Sequence, residues 1–404
     1  MDFALSPQQQ DLVERATAAG LEWREFAGKW DEENEAPFAE VTARMRELGL
    51  LGLLMPKEFG GADLTALDYA LVIEALMRTS TIWITAEPTF LATGPGAMMC
   101  MMSPNVAVRE KYLRAIVAGE HGVAISISEP EFGSDMTSLG TTAVLDGDEW
   151  VITGEKKWIT GAIVNSLYAT FVRFDGIPGA KGIGAIMVER GTPGFEMQRG
   201  PTFVGSRGVP HGDLQYNKVR VPKENLLFGP GDFGVLMRAF NIERLHNTAC
   251  SLGSAEAAFD EALEYTKNRR QFGRKLIEFQ SVYHDLADMW AQIESARYLM
   301  YKAAASARDG KLPEPMDVSI AKYVSNNVLS DVSTRCVLLQ GAHGTTTASF
   351  AQRIHRDSLV NKVAGGSVQI LLNVIAGQLV PDQKFPQRPD TVPAGQAPAS
   401  RAAG

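Results

Sequence analysis

Val123-Ala-Ile-Ser-Ile-Ser-Glu-Pro-Glu-Phe-Gly-Ser-Asp135 is the stretch on which the reading of this chain turns. Its first half alternates, with Ile125 and Ile127 on one side and Ser126 and Ser128 on the other. A period of two marks a half-buried strand. Toward the C-terminus, Asp146-Gly147 between Val144-Leu145 and Trp150-Val151 reads as a hairpin turn. Short strands follow at Tyr168 to Phe174, Ile183 to Val188 and Asp213 to Val221, punctuated by Gly and Pro. Residues 122–228 therefore read as an antiparallel β domain.

On either side of this block the pattern is helical. Ser6-Pro7-Gln8-Gln9 joins an N-cap, a proline at the first helical position and a glutamine three residues after the cap. Thr65 to Met77 is Leu- and Ala-rich at helical spacing, set off by Gly60-Gly61, and the texture lasts to about Gly119. Residues 1–121 are thus an expected helical domain. After Gly234 helices resume, to about Val380. Leu286, Met289, Ile293, Ala296 and Met300 recur at spacings of three and four, one apolar stripe on a long helix. Long helices on short loops predict a four-helix bundle over 229–385. Residues 386–404 are Pro/Ala/Gly-rich without apolar period, and disorder is expected there. The expected fold is α+β: helices, a central antiparallel β domain, then a bundle.

Composition narrows the function. The 404 residues are 45% apolar and 21% charged, with a net charge of -8. Such a chain has no basic excess for nucleic acid. Cys100, Cys250 and Cys336 are far apart and form no CxxC pair, which reads as reduced thiols in a cytoplasmic protein. The six histidines are scattered, so no metal site is expected. No signal or transit pattern opens the chain and no apolar run is long enough to span a membrane.

Three segments carry a family resemblance. Ser126-Ile-Ser-Glu-Pro-Glu-Phe-Gly-Ser-Asp135, Lys157-Trp-Ile-Thr160 and Arg269-Arg-Gln-Phe-Gly273 resemble, in order and spacing, signatures of the acyl-CoA dehydrogenases. The resemblance covers roughly residues 1–380 and implies FAD, an acyl-CoA substrate and electron-transferring flavoprotein as partner. A flavin needs an apolar shelf and directional polar groups at its edge. Ile125, Ile127 and Ser128 offer both. Gly133 allows close backbone approach, and Ser134 has a hydroxyl for pyrophosphate or substrate. Trp158, Ile159 and Thr160 would lie against the ring system, and Arg269 would grip a diphosphate. The resemblance sends Arg269 to the flavin of a neighbouring subunit, which implies a homodimer or homotetramer. It extends cofactor contacts to Phe272, Gln280, Leu338, Gly341, Ala342, Ser367 and Gln369. Leu338 stands where the family usually has glutamine.

Dehydrogenation between the α and β carbons needs a base. Many members of the family carry it as a glutamate in the last signature, here Ala364-Gly-Gly-Ser-Val-Gln-Ile370. Position 365 is glycine and cannot serve. A branch with the placement of isovaleryl-CoA dehydrogenase carries the glutamate on an earlier helix, and Asn241-Ile-Glu-Arg244 puts Glu243 there. Glu243 is the expected catalytic residue. Burial would raise its pKa and Arg244 would lower it. Asn241, Arg244, Gly365 and Gly366 are expected on the substrate side. Two decoys are set aside: Gly229-Pro-Gly-Asp-Phe-Gly234 fits GxGxxG without a βαβ unit, and His246 reads as a packed histidine.

The same residues leave rival functions open. One is a desulfinase-like reaction on this fold, since that branch has a last signature similar to Ala364-Gly-Gly-Ser. Another is a non-catalytic subunit of a hetero-oligomer. An oxidase would be a longer chain. Ile82-Trp83-Ile84, with no arginine nearby, suggests an apolar or bulky acyl group.

Overall fold

A computed structural model describes residues 4–382; the expected disorder of 386–404 lies outside them. Seven helices come first. They are α1 (Pro7–Arg24), α2 (Ala27–Glu33), α3 (Phe38–Glu47), α4 (Ala66–Ser80), α5 (Glu87–Thr93), α6 (Pro95–Met102) and α7 (Val106–Val117). α1 starts with the expected capping box, Ser6 taking the Gln9 amide while the Gln9 side chain takes the Ser6 amide. Thr65 and Asp68 do the same for α4. Each box satisfies amides that the first helical turn leaves without partners.

The middle of the chain forms an eight-stranded sheet. Its strands are β1 (Val123–Ser126), β2 (Thr142–Asp146), β3 (Glu149–Thr160), β4 (Leu167–Phe174), β5 (Ile183–Glu189), β6 (Phe195–Arg199), β7 (His211–Pro222) and β8 (Leu226–Phe228). The Asp146-Gly147 hairpin forms, pairing Asp146 with Glu149, and Gly147 has φ 65°. Two details differ from the sequence reading. β1 and β2 pair with β4 in parallel, so the sheet is mostly rather than wholly antiparallel. On β1 the serine side is the sealed one: Ser126 is buried, whereas Ile125 and Ile127 are half-buried. The strand lies against helices on one face and the sheet's own core on the other. Alternation reported two faces but not which one stays open.

The chain then returns to helices: α8 (Phe233–Asn268), α9 (Gln280–Ala305), α10 (Pro315–Leu339), α11 (Ala351–Asn361) and α12 (Val368–Leu379). A short hairpin, β9 (Arg270–Gln271) with β10 (Arg274–Lys275), separates α8 from α9. All five stripe residues of α9 are buried. One apolar core joins both helical parts, running through Leu76, Ile242, Met289 and Leu329. A second, smaller core around Ile152, Tyr168, Leu214 and Tyr216 belongs to the sheet. α4 and α8 touch backbone to backbone: a β-carbon on Gly253 would come within 2.3 Å of the Glu74 carbonyl oxygen. Arg297 of α9 ties the same crossing by donating to Glu74 at 2.7 Å and Glu256 at 2.5 Å. This packing fixes the middle of α8, ten residues beyond Glu243, against the first helical domain.

Candidate active site

The loop after β1 is locked from below. The Lys156 ammonium, fully buried on β3, donates to Glu129 Oε1 at 2.8 Å and to the Ile127 carbonyl at 3.1 Å. Glu129 also accepts the amides of Gly140 and Thr141 at 2.6 and 2.9 Å. Burial works to raise the Glu129 pKa, but Lys156 and these donors prevail and the net shift is downward. Burial pulls Lys156 down to about 8 against the attraction of Glu129. A buried charge is tolerated when its lone pairs are filled in this way.

Above the lock, β3 breaks register between Lys156 and Ile159. Trp158 sits in that irregularity with φ 58°, a left-handed conformation that is costly for an aromatic residue, and is 44% exposed. A bulge re-aims a side chain in this way. Ile125, Ile127, Ser128 and Thr160 are half-buried nearby in the sequence pattern, and Gly133 and Ser134 are exposed in the loop. Ile159, expected at the cofactor, has its side chain 3% exposed inside the sheet core, because the bulge turns Trp158 outward and its neighbour inward, which leaves its backbone for the cofactor side.

The other expected cofactor residues gather elsewhere. Arg269 lines a cavity of about 600 Å³ with Tyr265, Gln340, His343 and Arg24. Gly341 and Ala342 are exposed immediately after Gln340, and Leu338, at the end of α10, is 70% exposed. Phe272, at the tip of the β9–β10 hairpin, is 93% exposed, and Gln280 is exposed at the start of α9. Ile125, Trp158 and Thr160 do not line this cavity. Ser367 caps α12 by accepting the Ile370 amide, and Gln369 is exposed.

Glu243 stands at a third place, where α8, α10 and the loop before α12 meet. Gly365 and Gly366 have φ values of 63° and 91°, which glycine adopts without a β-carbon clash. A β-carbon on Gly365 would lie 2.4 Å from Glu243 Oε1 and 3.0 Å from Lys322 Nζ. The carboxylate from α8 therefore fills the volume that a side chain at 365 would need. Lys322, buried on α10, donates to the carbonyls of Ala364 and Gly366 at 2.5 and 3.2 Å and so holds this turn. Burial raises the Glu243 pKa, while Lys322 first and Arg244 second pull it down; the net is upward. Burial lowers Lys322 in return.

Asn241 and Arg244 bond to each other, and Arg244 Nε is buried with no partner among the described residues. Asn241 is buried and donates to the Pro313 carbonyl at 2.9 Å, and its own oxygen accepts from Arg244 at 3.0 Å. Helix geometry puts residues 241 and 244 together on a face that packs toward the segment before α10, so the Asn241 amide is consumed within the fold. His246 is packed, as read: the Tyr69 hydroxyl lies 2.8 Å from Nδ1 and Cys250 Sγ 3.3 Å from Nε2.

The sequence reading missed three residues of this region. Lys322 had a signal, a lone cation on a helix face beside Val318, Ala321 and Ser325, all of which are buried. Lys156 had one too, on a strand otherwise read for Trp158. Glu87 had none, because nothing in its local pattern separates it from a solvated first-turn carboxylate. It is 5% exposed, and burial first, then Glu243, raises its pKa to about 8.

This arrangement coincides with matches along the whole chain. Residues 6–120, 124–219 and 233–380 match, in turn, the family descriptions acyl-CoA dehydrogenase N-terminal domain, middle domain and C-terminal domain. The chain belongs to the acyl-CoA dehydrogenase family. Among similar acyl-CoA dehydrogenase family proteins is the short-chain specific acyl-CoA dehydrogenase of Clostridium acetobutylicum, 34% identical, with 94% of this chain and 100% of that one covered. The 3-sulfinopropanoyl-CoA desulfinase of Paraburkholderia xenovorans is equally similar, 34% identical over 96% of this chain and 99% of its own. The structure of butyryl-CoA dehydrogenase from Megasphaera elsdenii superposes with a TM-score of 0.88 at 32% identity, covering 94% and 100% of the two chains. Among the described residues no helix is long and apolar enough to cross a membrane, and no group of His, Cys, Asp and Glu is arranged for a metal ion.

Proposed function

We propose that this protein catalyses α,β-dehydrogenation of an acyl-CoA thioester, with Glu243 as the base that removes the α proton. The observation that carries the reading is the 2.4 Å approach of Glu243 Oε1 to the site of a β-carbon on Gly365. One carboxylate is available at this point of the fold, and it comes from α8. A base works best when its pKa lies near the working pH. Burial moves Glu243 upward, while Lys322 and Arg244 pull against it.

The residues present fit FAD. Trp158 is turned outward against its backbone preference beside the half-buried Ile125 and Ile127, a flat apolar shelf with Ser128 and Thr160 at its edge. Ser134 and Gly133 offer a hydroxyl and an unobstructed backbone: a β-carbon on Gly133 would meet no atom within 4 Å. FAD held there supplies the hydride acceptor. Arg269 lines a separate cavity and Phe272, Gln280, Gly341 and Ala342 are exposed, which supports their serving the flavin of a second copy in a homodimer or homotetramer. The family resemblance supports electron-transferring flavoprotein as the partner that takes the electrons.

A second reading, desulfinase-like chemistry, is favoured by Gly365 and by the similarity to the Paraburkholderia enzyme. That chemistry needs no proton removal, so Glu243 would be idle. Anaerobic mixing of the holoenzyme with a panel of acyl-CoAs, following flavin bleaching, separates the two. Dehydrogenation predicts bleaching by wild type and a loss of at least about 10²-fold in rate for Glu243→Gln. A Glu243→Gln protein as fast as wild type would remove Glu243 from the mechanism; release of sulfite from a sulfinated thioester without flavin bleaching would establish the second reading.

A further inference from the structure

Three buried acids away from the proposed base have partners. Glu74 and Glu256 hold Arg297, and Glu129 holds Lys156. Glu87 has none: no hydrogen bond engages its carboxyl among the described residues, and no cation acts on it. It opens α5 at 5% exposure. One turn earlier Trp83 is 8% exposed and its Nε1 donor is buried with no acceptor. Two unmet polar groups on one short segment are costly unless something completes them.

The surroundings identify the place. The rings of Phe90 and Trp83 lie 4.5 and 6.3 Å from the His246 ring, and His246 is one turn along α8 from Glu243. Glu243 acts electrostatically on Glu87. His246 cannot serve Glu87, since Tyr69 and Cys250 take both its nitrogens. Lys322 and Arg244 act on Glu243 and not on Glu87. Glu87 thus lies between Trp83 and Phe90, whose rings both reach His246, on the side of α8 that carries the base one turn earlier.

The chemistry of the walls selects a ligand. A neutral carboxyl offers one O–H donor and one acceptor, and Trp83 adds an N–H donor. No cation acts on Glu87, so an anionic group beside it would lack a counter-charge. A plain alkyl chain would leave both polar groups unmet. We propose that Glu87 is a specificity-determining residue that recognises an uncharged oxygen function, a hydroxyl, oxo or amide group, on the acyl chain beyond the reacting carbons. This rests on the acyl-CoA reading of the Glu243 site, and it revises the apolar group suggested by Ile82-Trp83-Ile84.

The test compares wild type, Glu87→Gln and Glu87→Leu holoenzymes on CoA thioesters of matched length that are alkyl, ω-hydroxylated or ω-carboxylated. Two quantities are read: kcat/KM, and the Kd of the matching unreactive thioethers by calorimetry. Wild type is expected to prefer the hydroxylated chain over both others. Glu87→Leu is expected to lose that preference by about tenfold or more in both quantities, because a site built to bond a hydroxyl discriminates through its own unmet groups. Glu87→Gln, which keeps a donor and an acceptor, is expected to retain it and guards against misfolding of the leucine variant. Equal hydroxyl-to-alkyl ratios in all three proteins, with thioesters still oxidised, would overturn the assignment of Glu87 alone. Wild type that binds and oxidises none of the thioesters would overturn the acyl-CoA reading and the proposal with it.

Discussion

The fold buries two Glu–Lys neighbourhoods, and they are built in opposite ways. Glu129 and Lys156 touch at 2.8 Å, and the carboxylate accepts two amides besides. Glu243 and Lys322 are close enough to shift each other's pKa, yet the ammonium is spent on the carbonyls of Ala364 and Gly366, and the carboxylate is left without a hydrogen bond. The first is satisfied and its net shift is downward; the second is unsatisfied and its net shift is upward. Satisfaction separates a structural acid from one available for proton transfer, even when the residue types are the same.

The contrast breaks most sharply if the two glutamates are exchanged in role. Glu129→Ala leaves a buried ammonium and two amides unmet and is expected to cost about 3–5 kcal/mol in chemical denaturation. Glu243→Gln is expected to leave stability within about 1 kcal/mol while losing its 10²-fold or more in rate. Equal destabilisation by both would show that Glu243 is structural.

Gly365→Ala sharpens the comparison from the other side. Its β-carbon falls on the Glu243 carboxylate at a positive φ. Displacement of the base is expected to lower the rate by about 10²-fold, with a stability loss of about 1–2 kcal/mol from the backbone conformation. An active-site titration with FAD retained and the rate unchanged would show that the carboxylate has room to spare.

The smallest expected effect concerns pH. As the proposed base, Glu243 must be ionised to act, and Lys322 pulls its raised pKa back against burial. Lys322→Met removes that pull, so the acid limb of the rate profile should move to higher pH, by on the order of one unit. Activity lost at low pH would be recovered at high pH. Loss of rate at all pH values without movement of the limb would reduce Lys322 to holding the Gly365 turn.

Much of the molecule was legible before the structure. The capping box at Ser6, the hairpin at Asp146-Gly147 and the α9 stripe rest on contacts a few residues long, and local spacing reports these directly. Trp158 was legible as a member of a motif, but its left-handed backbone and the inward turn of Ile159 depend on how β3 pairs with β7. The open side of β1, the consumed Asn241 amide and the unpartnered Glu87 were not legible. Each depends on what packs against it from a distant part of the chain.

By itself, then, the sequence determined the order of helices, sheet and helices, the identity of the signature residues, and the fact that position 365 has no side chain to act as a base. Only the tertiary structure decided what takes that space. Gly365 is an absence until α8 and α10 bring Glu243 and Lys322 to it. Hydrophobic and turn periodicities are properties of neighbours in sequence, whereas the protonation and reach of a buried carboxylate are set by groups that only packing makes neighbours.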